Sequence, residues 1–158
     1  MFRNIFAASL ALLLAGAAPT IADDGVVDIV APFEIGGLDP SKSGDIFLRM
    51  GIVETLVEAD KDGNPVPALA KSWTVSDDGL SWRFELQSGV KFQDGTSLTA
   101  EAAASALRTA KDKAGPLSKA PIADIKAEGE GTVVVSLTKP FVPLLAFLAE
   151  SRAQILAP

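Results

Sequence analysis

The chain has 158 residues, with a formal net charge of −6, no cysteine, no histidine and no tyrosine. That inventory excludes imidazole- and thiolate-based catalysis, and with it thiolate or imidazole metal sites. The lysines and arginines form no cluster or stripe, so nothing in the charge pattern fits a nucleic-acid partner.

Residues 1–22 read as a signal peptide. Arg3 supplies the positive start, residues 5–18 form an apolar run rich in Leu and Ala, and Thr20-Ile21-Ala22 places small residues at a cleavage site. The run is shorter than the about 20 residues needed to span a bilayer, and acidic residues follow it. Asp23, where a lipoprotein would carry a cysteine, indicates a protein released into a periplasm after cleavage behind Ala22. Only Arg3 among the charged residues precedes position 23, so the mature segment 23–158 is more acidic than the whole chain. Its length suits one domain with its own core.

Val26 to Ala31 reads as a strand, closed by Pro32, and Gly36-Gly37-Leu38-Asp39-Pro40 as a turn. Between Asp45 and Val57 the apolar positions Ile46, Phe47, Met50, Val53, Leu56 and Val57 recur at helical spacing and predict a helix. Asp60-Lys61-Asp62-Gly63-Asn64 imitates the start of a calcium loop. Pro65 stands where the loop needs glycine and Lys71 where it needs glutamate, so a solvated turn is the expectation.

Leu80, Trp82, Phe84 and Leu86 alternate with polar residues, the mark of a strand with one buried face. Trp73 and Val75 precede it across Asp77-Asp78-Gly79, which predicts a hairpin with both tryptophans largely buried on one sheet face. Ser88-Gly89-Val90-Lys91 has the S-x-x-K spacing of penicillin-recognising enzymes. It falls in a turn rather than at a helix start, and its partner motifs are missing. Thr99 is placed to cap a helix running to about Asp112, with an alanine-rich face for close packing. Ile122–Glu128 and Thr132–Thr138 flank Gly129-Glu130-Gly131 as a second hairpin. Pro143–Glu150 reads as a helix and Ala153–Ala157 as a buried strand. Hairpins mixed with helices define an α+β class, with helices covering one face of an antiparallel sheet.

The order of Leu69-Ala70-Lys71-Ser72-Trp73, Asp77-Asp78-Gly79, Val90-Lys91-Phe92-Gln93-Asp94-Gly95 and Thr99-Ala100-Glu101-Ala102 resembles the N-terminal part of the extracytoplasmic solute-binding proteins of family 5. The chain departs from that pattern at Gln87, Gln93 and Ala102-Ala103, usually Arg, His and Asp-Val. The resemblance implies a non-enzymatic receptor of an ABC importer with two lobes that close on a solute. It also implies a periplasmic, monomeric protein whose partners are an inner-membrane permease and its ATPase subunits, with no cofactor. Residues 23–158 then form the N-terminal part of one lobe, truncated before the second, and are expected to bind solute no more tightly than about millimolar by themselves. A truncated product that transports nothing, or a holdase exposing the uncovered face, is the competing expectation.

For the site, the resemblance points to the loop Pro32, Phe33, Glu34 and Ile35, and to Phe47 and Met50 on the helix lip, where core packing is the competing reading. Arg152 lies near arginines that in nickel-binding relatives hold the carboxylates of a chelate, and an arginine fork suits any carboxylate; an ordinary surface arginine is the competing reading. Peptide is the expected solute. Nickel is the alternative, entering as an organic chelate, because this chain offers only oxygen ligands to a bare ion.

Overall fold

A computed structural model of the chain describes Gly37 and residues 39–158, which all fall in one contact-defined unit. The signal segment, the strand expected over Val26–Ala31 and the loop Pro32–Ile35 lie outside the described residues.

The centre of the fold is a four-stranded antiparallel sheet in the order β4-β5-β7-β6, formed by Ala70–Val75, Ser81–Leu86, Thr132–Leu137 and Ile122–Glu128 respectively. It consists of the two expected hairpins laid side by side. In the first, Gly79 takes φ +69°, and the Asp78 carboxylate accepts from Ser76 Oγ at 2.6 Å and from the Leu80 amide at 3.0 Å. These local bonds fix the turn, which fixes the register Trp73↔Phe84 and Val75↔Trp82. The second hairpin turns at Gly129, φ +64°, and pairs Ile125 with Val135.

One sheet face carries Phe84, Val133, Val135 and Ile125, all at most 2% exposed. The helix α2, Ala100–Asp112, packs over β6 and β7 on this face. Thr99 Oγ1 accepts from the Ala102 amide at 3.1 Å, as its position predicts. Buried Ala100, Ala103 and Ala104 let the helix approach the sheet closely. Because α2 sits over β6 and β7 while β4 forms an edge, Trp73 and Trp82 share the core-facing side but are half-buried rather than largely buried. Both lie beside the Phe84 ring, at centroid distances of 6.5 and 6.4 Å. Trp82 Nε1 is enclosed without a hydrogen-bond partner among the described residues.

The expected helix over Asp45–Val57 is corrected. Helix α1 spans Pro40–Arg49 and stops at Gly51, whose φ of +65° lets the chain reverse. The Gly51 amide donates to Leu48 O and the Ile52 amide to Phe47 O, a glycine cap that satisfies the last carbonyls. Val53, Leu56 and Val57 therefore belong to the segment containing β1 (Glu54–Thr55) and β2 (Val57–Ala59). Strand β2 pairs with β3, Pro65–Pro67, across the Asp60 turn. In that turn Asp60 accepts from the Asp62 and Asn64 amides at 2.9 and 2.8 Å, so the calcium-like residues are spent on the turn itself. Among the described residues no group of three or more acidic side chains could hold a metal ion.

Ser88–Lys91 lies in a turn region after β5, with Gly89 at φ +76°. Helix α3 is shorter than expected, Leu144–Leu148, with no side-chain cap at Pro143. The last strand, β8, is only Gln154–Ile155, paired antiparallel to β1, and Ala157 and Pro158 are exposed rather than buried. Among the described residues no helix is long and apolar enough to cross a membrane.

Candidate functional site

The outer side of α2 and the segment from Arg152 to Pro158 face each other across a groove of about 380 Å³. Ala102, Ala106 and Ala110 recur every four residues, one stripe of a helix, and give the first wall a flat apolar floor. Leu156 continues the apolar surface on the opposite wall. The lining also holds Ser105 and Thr109 of α2, Gln154, and two cations, Lys113 just beyond the C-terminus of α2 and Arg152 in the turn after α3. The side chains of these cations are 41% and 48% exposed, so both remain within reach of solvent.

The counter-charges stand outside that lining. Lys113 Nζ lies 3.0 Å from Asp39 Oδ1. Arg152 Nε is a looser 3.7 Å from Glu150 Oε1, and the other oxygen of that carboxylate accepts the Arg152 backbone N–H at 2.9 Å. The groove thus combines an apolar floor with two half-exposed donors of positive charge, the set that a small organic anion requires. A wider hollow of about 530 Å³ beside Leu48, Glu54 and Glu58 carries carboxylates and, among the described residues, no cation in its lining.

Carboxylates with depressed pKa values serve the fold rather than this groove. Asp60, Asp78 and Asp94 are held below their ordinary range by hydrogen bonds within their own turns. Glu128 is lowered by the two-pronged bond from Arg83, at 2.6 and 2.8 Å, across the solvent face of the sheet.

Of the side chains that sequence reasoning assigned to the site, Arg152 lines the groove, while Phe33 and Glu34 lie outside the described residues. Phe47 is 7% exposed, packed inside at the end of α1, and Met50 is 46% exposed at the helix C-terminus; neither lines the groove. Lys113 and Gln154 were missed. The alanine spacing along α2 was visible in the sequence, but nothing there said which wall it faces.

An apolar groove lined by two cations has the chemistry to receive a small organic anion. The model of bacterial extracellular solute-binding proteins, family 5 Middle, matches residues 64–157. The chain belongs to that family of bacterial extracellular solute-binding proteins. It is 35% identical over 127 residues to the nickel-binding periplasmic protein of Escherichia coli (strain K12), covering 77% of this chain and 24% of the relative. It is 31% identical over 162 residues to the glutathione-binding protein GsiB of the same strain, covering 98% and 31%. Among solved structures, the PBP AgaA in complex with agropinic acid, from A. tumefaciens R10, superposes with a TM-score of 0.70 at 29% identity, covering 78% of this chain and 26% of the other. The chain therefore spans 24–31% of the length of these relatives.

Proposed function

We propose that this chain forms part of the extracytoplasmic solute-binding component of an ABC importer, and that its groove takes a peptide-type solute by a free carboxylate. The carrying observation is the pairing of Arg152 and Lys113 with the alanine floor of α2. A guanidinium fork matches a carboxylate, and the floor accommodates an apolar side chain next to it. Two relatives support the class of solute: glutathione is a tripeptide and agropinic acid an organic acid. Export through a signal peptide cleaved after Ala22, residence in the periplasm as a monomer and delivery to a membrane permease with its ATPase subunits belong to the same reading. So does the absence of any catalytic step.

A second reading is favoured by the 35% identity to a nickel-binding protein. With no metal-holding cluster among the described residues, nickel would enter as an organic chelate whose carboxylates meet the same two cations.

Ligand-observed NMR, which detects millimolar affinity, tests both. The probes are glutathione, an apolar tripeptide, the same tripeptide as its C-terminal amide, and the nickel–histidine complex. Saturation transfer to the tripeptide acid, weak transfer to its amide, and loss of that difference in Arg152→Ala are the expected results. Equal transfer to acid and amide by the wild-type chain refutes the carboxylate reading. Preference for the nickel complex over every peptide moves the solute to the chelate class.

A further inference from the structure

Arg152 sits in a turn, where a long side chain on a short connection has little to hold it. Three features of the surrounding chain act on this one segment. Gly44, in the middle of α1, stands so close that a Cβ there would lie 2.5 Å from Ser151 O. Gly115, just beyond α2, leaves room for the arginine stem: a Cβ there would meet Arg152 Cδ at 3.4 Å and Cβ at 3.6 Å. Gln154, 2% exposed, donates its side-chain N–H to Gly44 O and so ties the turn to α1.

That bond also settles the orientation of the amide, since only Nε2 can face a carbonyl oxygen. The other end, Oε1, is buried with no hydrogen-bond partner among the described residues. A buried, unpaired acceptor is unfavourable, and an apolar side chain of similar volume avoids it. Stability alone therefore gives little reason for glutamine at this position, and the remaining use of the amide is its donor.

We propose that Gln154 is a positioning residue for Arg152: its bond to the α1 backbone sets where the guanidinium stands over the groove. The turn is held from two sides, by Gln154 to α1 and by Glu150, whose carboxylate takes the Arg152 backbone N–H and faces Nε. Among the described residues the terminal nitrogens of the fork make no hydrogen bond within the protein, and Arg152 is one of the residues that line the groove. This proposal rests on the reading of Arg152 as a carboxylate anchor, and the test separates the two.

Two variants of the full chain serve. Gln154→Met keeps the volume and removes both amide groups, while Gln154→Asn keeps the amide but withdraws it by one methylene. The first measurement needs no ligand: the Arg152 Nε–H resonance, assigned with Arg152→Ala. It is expected to move or broaden in both variants while thermal unfolding stays cooperative. The second is the preference for an apolar tripeptide acid over its amide. It is expected to fall about tenfold, the order of a lost charge-assisted bond, and to fall no further when Gln154→Met is added to Arg152→Ala.

An Nε–H signal identical to wild type in the folded variants overturns the positioning role, as does failure of both variants to fold. An equal loss of preference in the Arg152→Ala background also overturns it, because the effect then bypasses the arginine. If the resonance responds but Arg152→Ala leaves acid preference intact, positioning stands and the carboxylate reading of the groove is what fails.

Discussion

Replacing Gly44 with alanine should destabilise this protein, against the usual effect of that change in a helix. In the interior of a helix alanine is favoured over glycine by about 0.5–1 kcal/mol, because it loses less backbone entropy on folding. Here the new methyl would lie 2.5 Å from Ser151 O and 2.9 Å from Gln154 Nε2. The first neighbour is backbone in a turn held on both sides, so relief requires α1 and the Glu150–Gln154 segment to separate. Overpacking of this kind costs about 1–3 kcal/mol. Separation also weakens the Gln154 bond to Gly44 O, adding about 0.5–1.5 kcal/mol for a hydrogen bond lost in a buried place. The net expectation is a loss of about 1–3 kcal/mol, or a melting temperature lower by roughly 4–12 °C in a domain this size. Thermal unfolding followed by far-ultraviolet circular dichroism reads it directly. Gly131→Ala is the control: nothing lies within 4 Å of its Cβ position and its φ is not positive, so that variant should gain about 0.4–1 kcal/mol. A Gly44→Ala protein that melts at or above the wild type would refute the close approach and, with it, the fixed placement of Arg152.

Phe84→Ala should cost about 3–5 kcal/mol, since the ring is wholly buried between both tryptophans, whereas Trp73→Ala on the half-covered edge strand should cost only about 1–2 kcal/mol; chemical denaturation that finds the two equal contradicts the placement of α2. Thr99→Ala removes the acceptor of the Ala102 amide and should lower stability by about 1 kcal/mol, recoverable in Thr99→Ser, with urea midpoints as the measure. Acid should weaken the protein through Asp60, Asp78, Asp94 and Glu128, whose folded pKa values lie below the ordinary 3.8 and 4.5. Their contribution is present above those ordinary values and disappears as pH falls through the lower folded ones, so stability should be level near neutrality and decline below about pH 4.5. A denaturation midpoint that stays constant into strong acid would show these bonds to be irrelevant to folding.

The hairpins were legible because their determinants are local. Alternation from Leu80 to Leu86 names the buried face, and Asp78-Gly79 closes the turn through bonds spanning only a few residues. The cap of α2 was legible for the same reason, with Thr99 three residues from the amide it receives. Where the reading went astray, one apolar series served two structures in succession. Ile46 to Val57 keeps helical spacing across a glycine cap, so periodicity alone carried the helix past its end. Gly51 was the available signal, since a glycine after Arg49 satisfies the last carbonyls of α1 at no steric cost. Burial of the tryptophans was overestimated because alternation reports which face a residue takes and not how far the covering helix extends over it.

The groove was less legible, and the reason lies in sequence distance. Arg152 was picked out by resemblance and because its chemistry is visible in one residue. Its partners in the groove come from elsewhere: Lys113 is paired with a residue 74 positions earlier, and Gln154 binds a carbonyl 110 positions earlier. Neither relation leaves a periodicity, and Gln154 reads in the sequence as one polar residue in an apolar strand. Glycine is the exception. Gly44 interrupts a helix that has no φ-based use for it, since its φ is not positive, so its small size must answer to something outside the helix. Such a residue signals a close neighbour without saying which one. The structure supplies the neighbour, the turn that bears Arg152, and thereby links an unexplained glycine near the start of the fold to the cation that would meet the solute.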